Sequence, residues 1–158
     1  MTAKLALPDV LFLAALAALV ATAAWTDIVS RRIPNWLCAL TLVLGLTYVG
    51  MLQGWQGAGL ALAHFAAALV VTMGLFALHA IGAGDAKFYA AIAGWLPIGK
   101  GLILLVAVSI SGFALLVVFL VTRVRGRARR AAEGPSNFDK LPYGVAIGVG
   151  GLIAVALA

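Results

Sequence analysis

Six apolar stretches run along the chain with short polar connections between them: approximately Val10–Trp25, Trp36–Gln53, Gly59–Ile81, Ala86–Pro97, Leu102–Thr122 and Leu141–Ala158. A helix needs about 20 such residues to cross hydrocarbon, so 158 residues hold five or six crossings and little else. Charged residues are 10% of the chain and mean hydropathy is +1.14, whereas a soluble domain carries about 25% charge. The expected fold class is all-α, a polytopic membrane protein with six transmembrane helices. Residues 1–158 then form a single integral-membrane domain with no separate soluble domain.

The formal net charge of +6 invites comparison with nucleic-acid binders, but its distribution argues against one. Five arginines fall between Arg123 and Arg130, directly after an apolar stretch. Such a run is an anchor under the positive-inside rule and is attracted to anionic head groups of the lipid bilayer. With six spans and the amino terminus outside, Arg31, Arg32, Lys87, those five arginines and Lys140 share the inner face, and Lys4 and Lys100 the outer one. The doubtful span is Ala86–Pro97, too short at about 1.5 Å per residue to cross unaided. If it does not cross, the basic clusters fall on opposite faces, which the charge bias disfavours. Val20-Ala-Thr-Ala-Ala24 has the look of a signal-cleavage site, but Arg31 and Arg32 just downstream resist translocation.

Two acids stand out against this background, Asp27 and Asp85, at the ends of apolar stretches. An ionisable group at membrane depth costs roughly 2.5–3.5 kcal/mol on insertion scales, so it reads as functional by default. Two apolar stretches separate them, and that parity puts both on one face whichever way the chain is oriented. Gly82 and Gly84 before Asp85 allow a tight turn and close helix approach. Two carboxylates meeting there would share a proton and activate water. Singly, each has a plainer reading: Asp85 as a helix cap, and Asp27 as a cap or partner of Arg31 or Arg32. Lys87 reads either as a group holding one carboxylate ionised or, preferably, as a solvated anchor.

Other residues carry less. Trp25, Trp36, Trp55 and Trp95 fall near segment ends, where indoles settle at the lipid boundary. Cys38 is the only cysteine and reads as a packing residue. His64 and His79 lack metal-ligand spacing and read as packed, hydrogen-bonded side chains. No metal site and no cofactor are expected, and no nucleotide loop or zinc-protease signature is present.

Taken together, three stretches resemble the type IV prepilin leader peptidases, membrane aspartic proteases with a Gly-x-Gly-Asp motif. Asp27-Ile-Val-Ser-Arg-Arg-Ile-Pro34-Asn35 resembles the first catalytic segment and Gly82-Ala-Gly84-Asp85-Ala-Lys87 the second. Lys140-Leu-Pro142-Tyr-Gly144 resembles the opening of the last helix. The likeness implies catalytic roles for Asp27 and Asp85, with Gly82, Gly84, Lys87, Pro34, Asn35, Lys140, Pro142 and Gly144 in support. It also implies a bacterial inner-membrane enzyme with a cytoplasm-facing site. Its partners would be prepilins and pseudopilins with a basic leader and an apolar helix, and no nucleic acid.

Longer members carry an amino-terminal insertion with paired cysteines and also methylate the pilin. Here Cys38 has no partner, so the chain is more similar to the short, peptidase-only branch serving tight-adherence (Flp-type) pili. The rival reading is a small ion- or proton-coupled transport subunit with the two acids as relays. It expects acids nearer mid-membrane and symmetric halves, and no internal repeat is visible. A non-catalytic assembly protein is the third reading, with Gly144-x-x-x-Gly148 a packing face.

Overall fold

The computed structural model describes residues 7–125 and 142–158. Among these lie α1 (Leu7–Ser30), α2 (Asn35–Ala77), α3 (Ala83–Ala93), a 3₁₀ turn (Ile98–Lys100), α4 (Gly101–Arg125) and α5 (Tyr143–Leu157). The all-α membrane class holds. Leu7–Ser30, Asn35–Ala77 and Ile98–Thr122 are long and apolar enough to cross a bilayer, and Tyr143–Leu157 is a shorter apolar helix. Lys4, the arginine run from Arg127 onward and Lys140 lie outside the described residues.

The second and third apolar stretches join into one element, the connection between Gln53 and Gly59 included. α2 has 43 residues and, if straight, would extend about 65 Å, twice the hydrocarbon thickness. It is broken at Gly54, with φ 70° and ψ −170°, a backbone that glycine adopts without steric cost. A Cβ on Gly50 would lie 3.6 Å from that of Ala58, so the chain reverses sharply there. The arms return side by side and share one groove, with Cys38 and Leu42 from the first and Phe65 and Leu69 from the second.

The fourth stretch departs most from expectation. Its helix starts earlier, at Ala83, and stops at Ala93 after 11 residues, about 16 Å. Ala86, Phe88, Ala90, Ala91, Ile92 and Ala93 are all buried, so α3 is an interior helix rather than a lipid-facing one. Polar bonds from α2 hold it at both ends. Thr72 Oγ1 lies 3.1 Å from the Ala86 carbonyl, and His64 Nδ1 lies 2.9 Å from that of Leu96. His64 is packed and bonded as expected, whereas His79 is exposed in the turn after α2.

Trp95 corrects a second expectation. Trp25 and Trp36 are exposed near helix ends and Trp55 beside the Gly54 break, but Trp95 is 2% exposed. Its indole N–H donates to the Thr41 carbonyl at 2.8 Å, and its ring meets Phe12 edge-on and Tyr48 at a tilt. Position at a segment end misled here because the segment ends inside the bundle. Cys38 is buried in the same core.

α5 packs against α1, α3 and α4 through glycines. Added Cβ atoms at Gly148, Gly150 and Gly151 would strike Val20, the Val108 backbone and Ile92 at 2.5, 2.5 and 2.7 Å. Small residues let backbones approach where lipid supplies no hydrophobic drive between helices. Gly150→Ala should cost about 1–3 kcal/mol by forcing α4 away from α5, read as a lowered thermal midpoint in detergent. Gly59→Ala, with open space around it, should leave the midpoint unchanged or slightly raised.

Candidate active site

Three chain segments meet at the end of the bundle where α1 finishes. α1 stays helical through Asp27 to Ser30 and reverses at Arg31, φ 54°, a left-handed backbone uncommon for a residue with a side chain. The Arg31 N–H closes the turn on the Asp27 carbonyl at 3.1 Å. Ile33 then turns inward, 7% exposed. Pro34 caps α2, its carbonyl accepting from the Leu37 and Cys38 amides at 3.1 and 3.4 Å.

On the second segment, α2 gives way to a turn with His79 at φ 60°, and Gly82 caps α3. Asp85 sits in the first turn of α3 and reaches back to the Gly82 amide. A Cβ on Gly84 would lie 3.3 Å from the Ile33 nitrogen, so this turn lies directly against the first connection. The third segment is Pro142-Tyr143-Gly144, where Pro142 caps α5. The Gly144 N–H donates to Asp27 Oδ2 at 2.9 Å, and this bond is buried.

The result is a cleft of about 320 Å³ with Asp27, Arg31, Arg32 and Ile33 on one side and Gly82, Ala83, Gly84 and Asp85 on the other. Asp27 is 7% exposed and Asp85 is half-buried. Asp85 lies outside the long spans. Burial pushes its carboxyl up to about 6, the Asp27 charge pushes the same way, and the Gly82 amide opposes both. Two carboxyl groups of this kind, one able to keep its proton up to about pH 6, can take a proton from water and give one to a carbonyl oxygen.

The supporting residues divide. Gly82 and Gly84 line the cleft, Gly144 touches Asp27, and Pro34 and Pro142 cap the helices that deliver them. Lys87 and Asn35 do not line it. The Lys87 ammonium donates to Asn35 Oδ1 at 3.0 Å, tying α3 to the start of α2 at the rim of the neighbouring groove. The bond is exposed, so Lys87 keeps its ammonium at the surface while it straps α3 to α2. Ile33 is the residue that sequence reasoning missed. It lies between the two glycines that must approach it, and the only signal was an apolar residue inside a basic connection.

An all-α membrane bundle with two carboxyl groups in one cleft at its helix ends is the class that fold and site define. The type IV leader peptidase family matches residues 9–121, and the chain belongs to it. The matched region spans both acids, and membership supports a leader-peptidase type of function, that of a membrane aspartic protease. No curated protein and no solved structure matches the chain.

The Lys87–Asn35 bond ties α3 to the start of α2. Lys87→Ala should therefore lower the thermal midpoint in detergent by a few degrees at most, since it removes a single exposed bond.

Proposed function

We propose that the chain is a prepilin leader peptidase of the peptidase-only, Flp-pilus type. It cuts the leader from prepilins and pseudopilins at the cytoplasmic face of the bacterial inner membrane, without cofactor or methyltransferase activity. The observation that carries this reading is the shared cleft of Asp27 and Asp85, within a chain of the type IV leader peptidase family.

Adjacent like charges cannot both ionise easily, so the pair holds one proton between its members. The ionised member takes a proton from water, whose oxygen bonds to the scissile carbonyl carbon. The protonated member donates to the carbonyl oxygen. As the intermediate collapses, the C–N bond breaks and the amine nitrogen receives the proton taken from water. The substrate's apolar helix lies in lipid beside the enzyme, and its basic leader reaches the cleft. The basic connection Arg31–Arg32 and the arginine run after α4 favour an inward-facing site under the charge bias. The run itself repels a basic leader and serves as an anchor.

Asp27→Asn and Asp85→Asn should each abolish the size shift of a co-expressed Flp-type prepilin while the enzyme remains in the membrane. Full cleavage by either variant would refute the assignment.

The pH dependence follows from Asp85. A carboxyl raised to about 6 keeps its proton below that pH and loses it above. The alkaline limb of kcat/KM, which reports the free enzyme, should therefore lie well above the ordinary carboxylate value of 3.8. Asp27→Asn removes the neighbouring charge, so the infrared band of protonated Asp85 should vanish at lower pH than in the wild type. A band that holds its midpoint would show that the two groups do not sense each other.

A further inference from the structure

We propose that α5 divides the labour within the pair: the Gly144 N–H holds Asp27 as the ionised base and leaves Asp85 as the proton-bearing acid, which makes Gly144 a positioning residue. This rests on the leader-peptidase reading above and assigns the roles which that reading leaves open.

The argument starts from the first turn of a helix, whose amides have no partner within the helix. Gly144 is the second residue of the 15-residue α5, and its amide points across to Asp27 Oδ2 at 2.9 Å in a buried setting. A bond to an ionised acceptor is roughly twice as strong as one between neutral groups. The positive end of the helix favours negative charge at the same spot. The connection that follows Asp27 brings Arg31 and Arg32 to the same cleft.

Asp85 is served differently. Its donor, the Gly82 amide, belongs to its own turn and comes from no second helix. Among the described residues, the charged and titratable groups that share the cleft with Asp27 are Arg31 and Arg32 from its connection and Asp85 from the α3 turn, and α5 contributes the Gly144 amide. Of two carboxyls that cannot both ionise cheaply, the one given the external helix end takes the charge.

The geometry also requires glycine at position 144. A Cβ there would lie 2.9 Å from Asp27 Oδ2, 3.1 Å from its Cβ and 3.0 Å from Ile33 Cδ1. Any side chain pushes the carboxylate off its donor. In the reaction, Asp27 takes the proton of water and passes it to the leaving amine. Asp85 gives its proton to the carbonyl oxygen and recovers it when the C–N bond breaks.

The test measures pH profiles of prepilin cleavage by the full-length enzyme with Gly144→Ala and with an ester in place of the amide N–H at position 144. The ester deletes the donor without adding a Cβ. Both should lower kcat at least tenfold with KM nearly unchanged, and both should move the acidic limb up by about one pH unit, because the ionised base has lost its donor. Gly148→Ala disturbs the same helix against Val20, away from Asp27, and should lower stability without moving the limb.

If Gly144→Ala fails to fold, the ester decides. An ester enzyme with an unmoved acidic limb, or one whose alkaline limb moves instead, overturns the assignment while leaving the dyad intact. Full cleavage by Asp27→Asn or Asp85→Asn overturns the leader-peptidase reading itself.

Discussion

At 11 residues α3 is about half the length needed to cross hydrocarbon unaided, and the molecule is arranged around enclosing it. Lipid offers no partner to the backbone groups that a short helix leaves open at its ends. α3 must therefore end inside protein. α2 folds at Gly54 into a hairpin whose two arms flank α3, and α5 closes against it with Gly151 on Ile92. The far end is capped by Trp95, whose indole reaches the Thr41 carbonyl, and by His64 at the Leu96 carbonyl. Enclosure at that end leaves the first turn of α3 free to face the cleft with Asp85.

The site follows from close approach. Gly84 lets the α3 turn lie on the backbone at Ile33, and Gly144 lets α5 start against Asp27. Each glycine matters for the atoms opposite it, Ile33 for Gly84 and Asp27 with Ile33 for Gly144, at the end of α1 and in the connection that follows it. That connection needs a left-handed residue at Arg31 and a proline to start α2, so the short segment Arg31–Pro34 fixes where two helices may touch. Position in the cleft, burial and charge are coupled consequences of one packing arrangement.

Much of this was legible from the sequence. The parity of apolar stretches placed Asp27 and Asp85 on one face, and the three motif stretches named the segments that meet there. The grouping of the supporting residues was not legible. Lys87 and Asn35 bond to each other beside a different groove, and Ile33 is the contact surface for both glycines. Trp95 followed the same pattern as the three exposed indoles and yet lies in the core, because sequence position reports the end of a segment and not its depth.

Hydropathy and charge by themselves determined the helical membrane class, the six apolar stretches and the two isolated acids, since transfer out of water depends on each residue's own chemistry and on local length. The tertiary structure alone decided that the fourth stretch is an interior helix and that α2 reverses at a single residue. It also decided that a main-chain amide 117 positions away from Asp27 reaches its carboxylate. These depend on distances between segments remote in the chain, and no local pattern encodes such a distance.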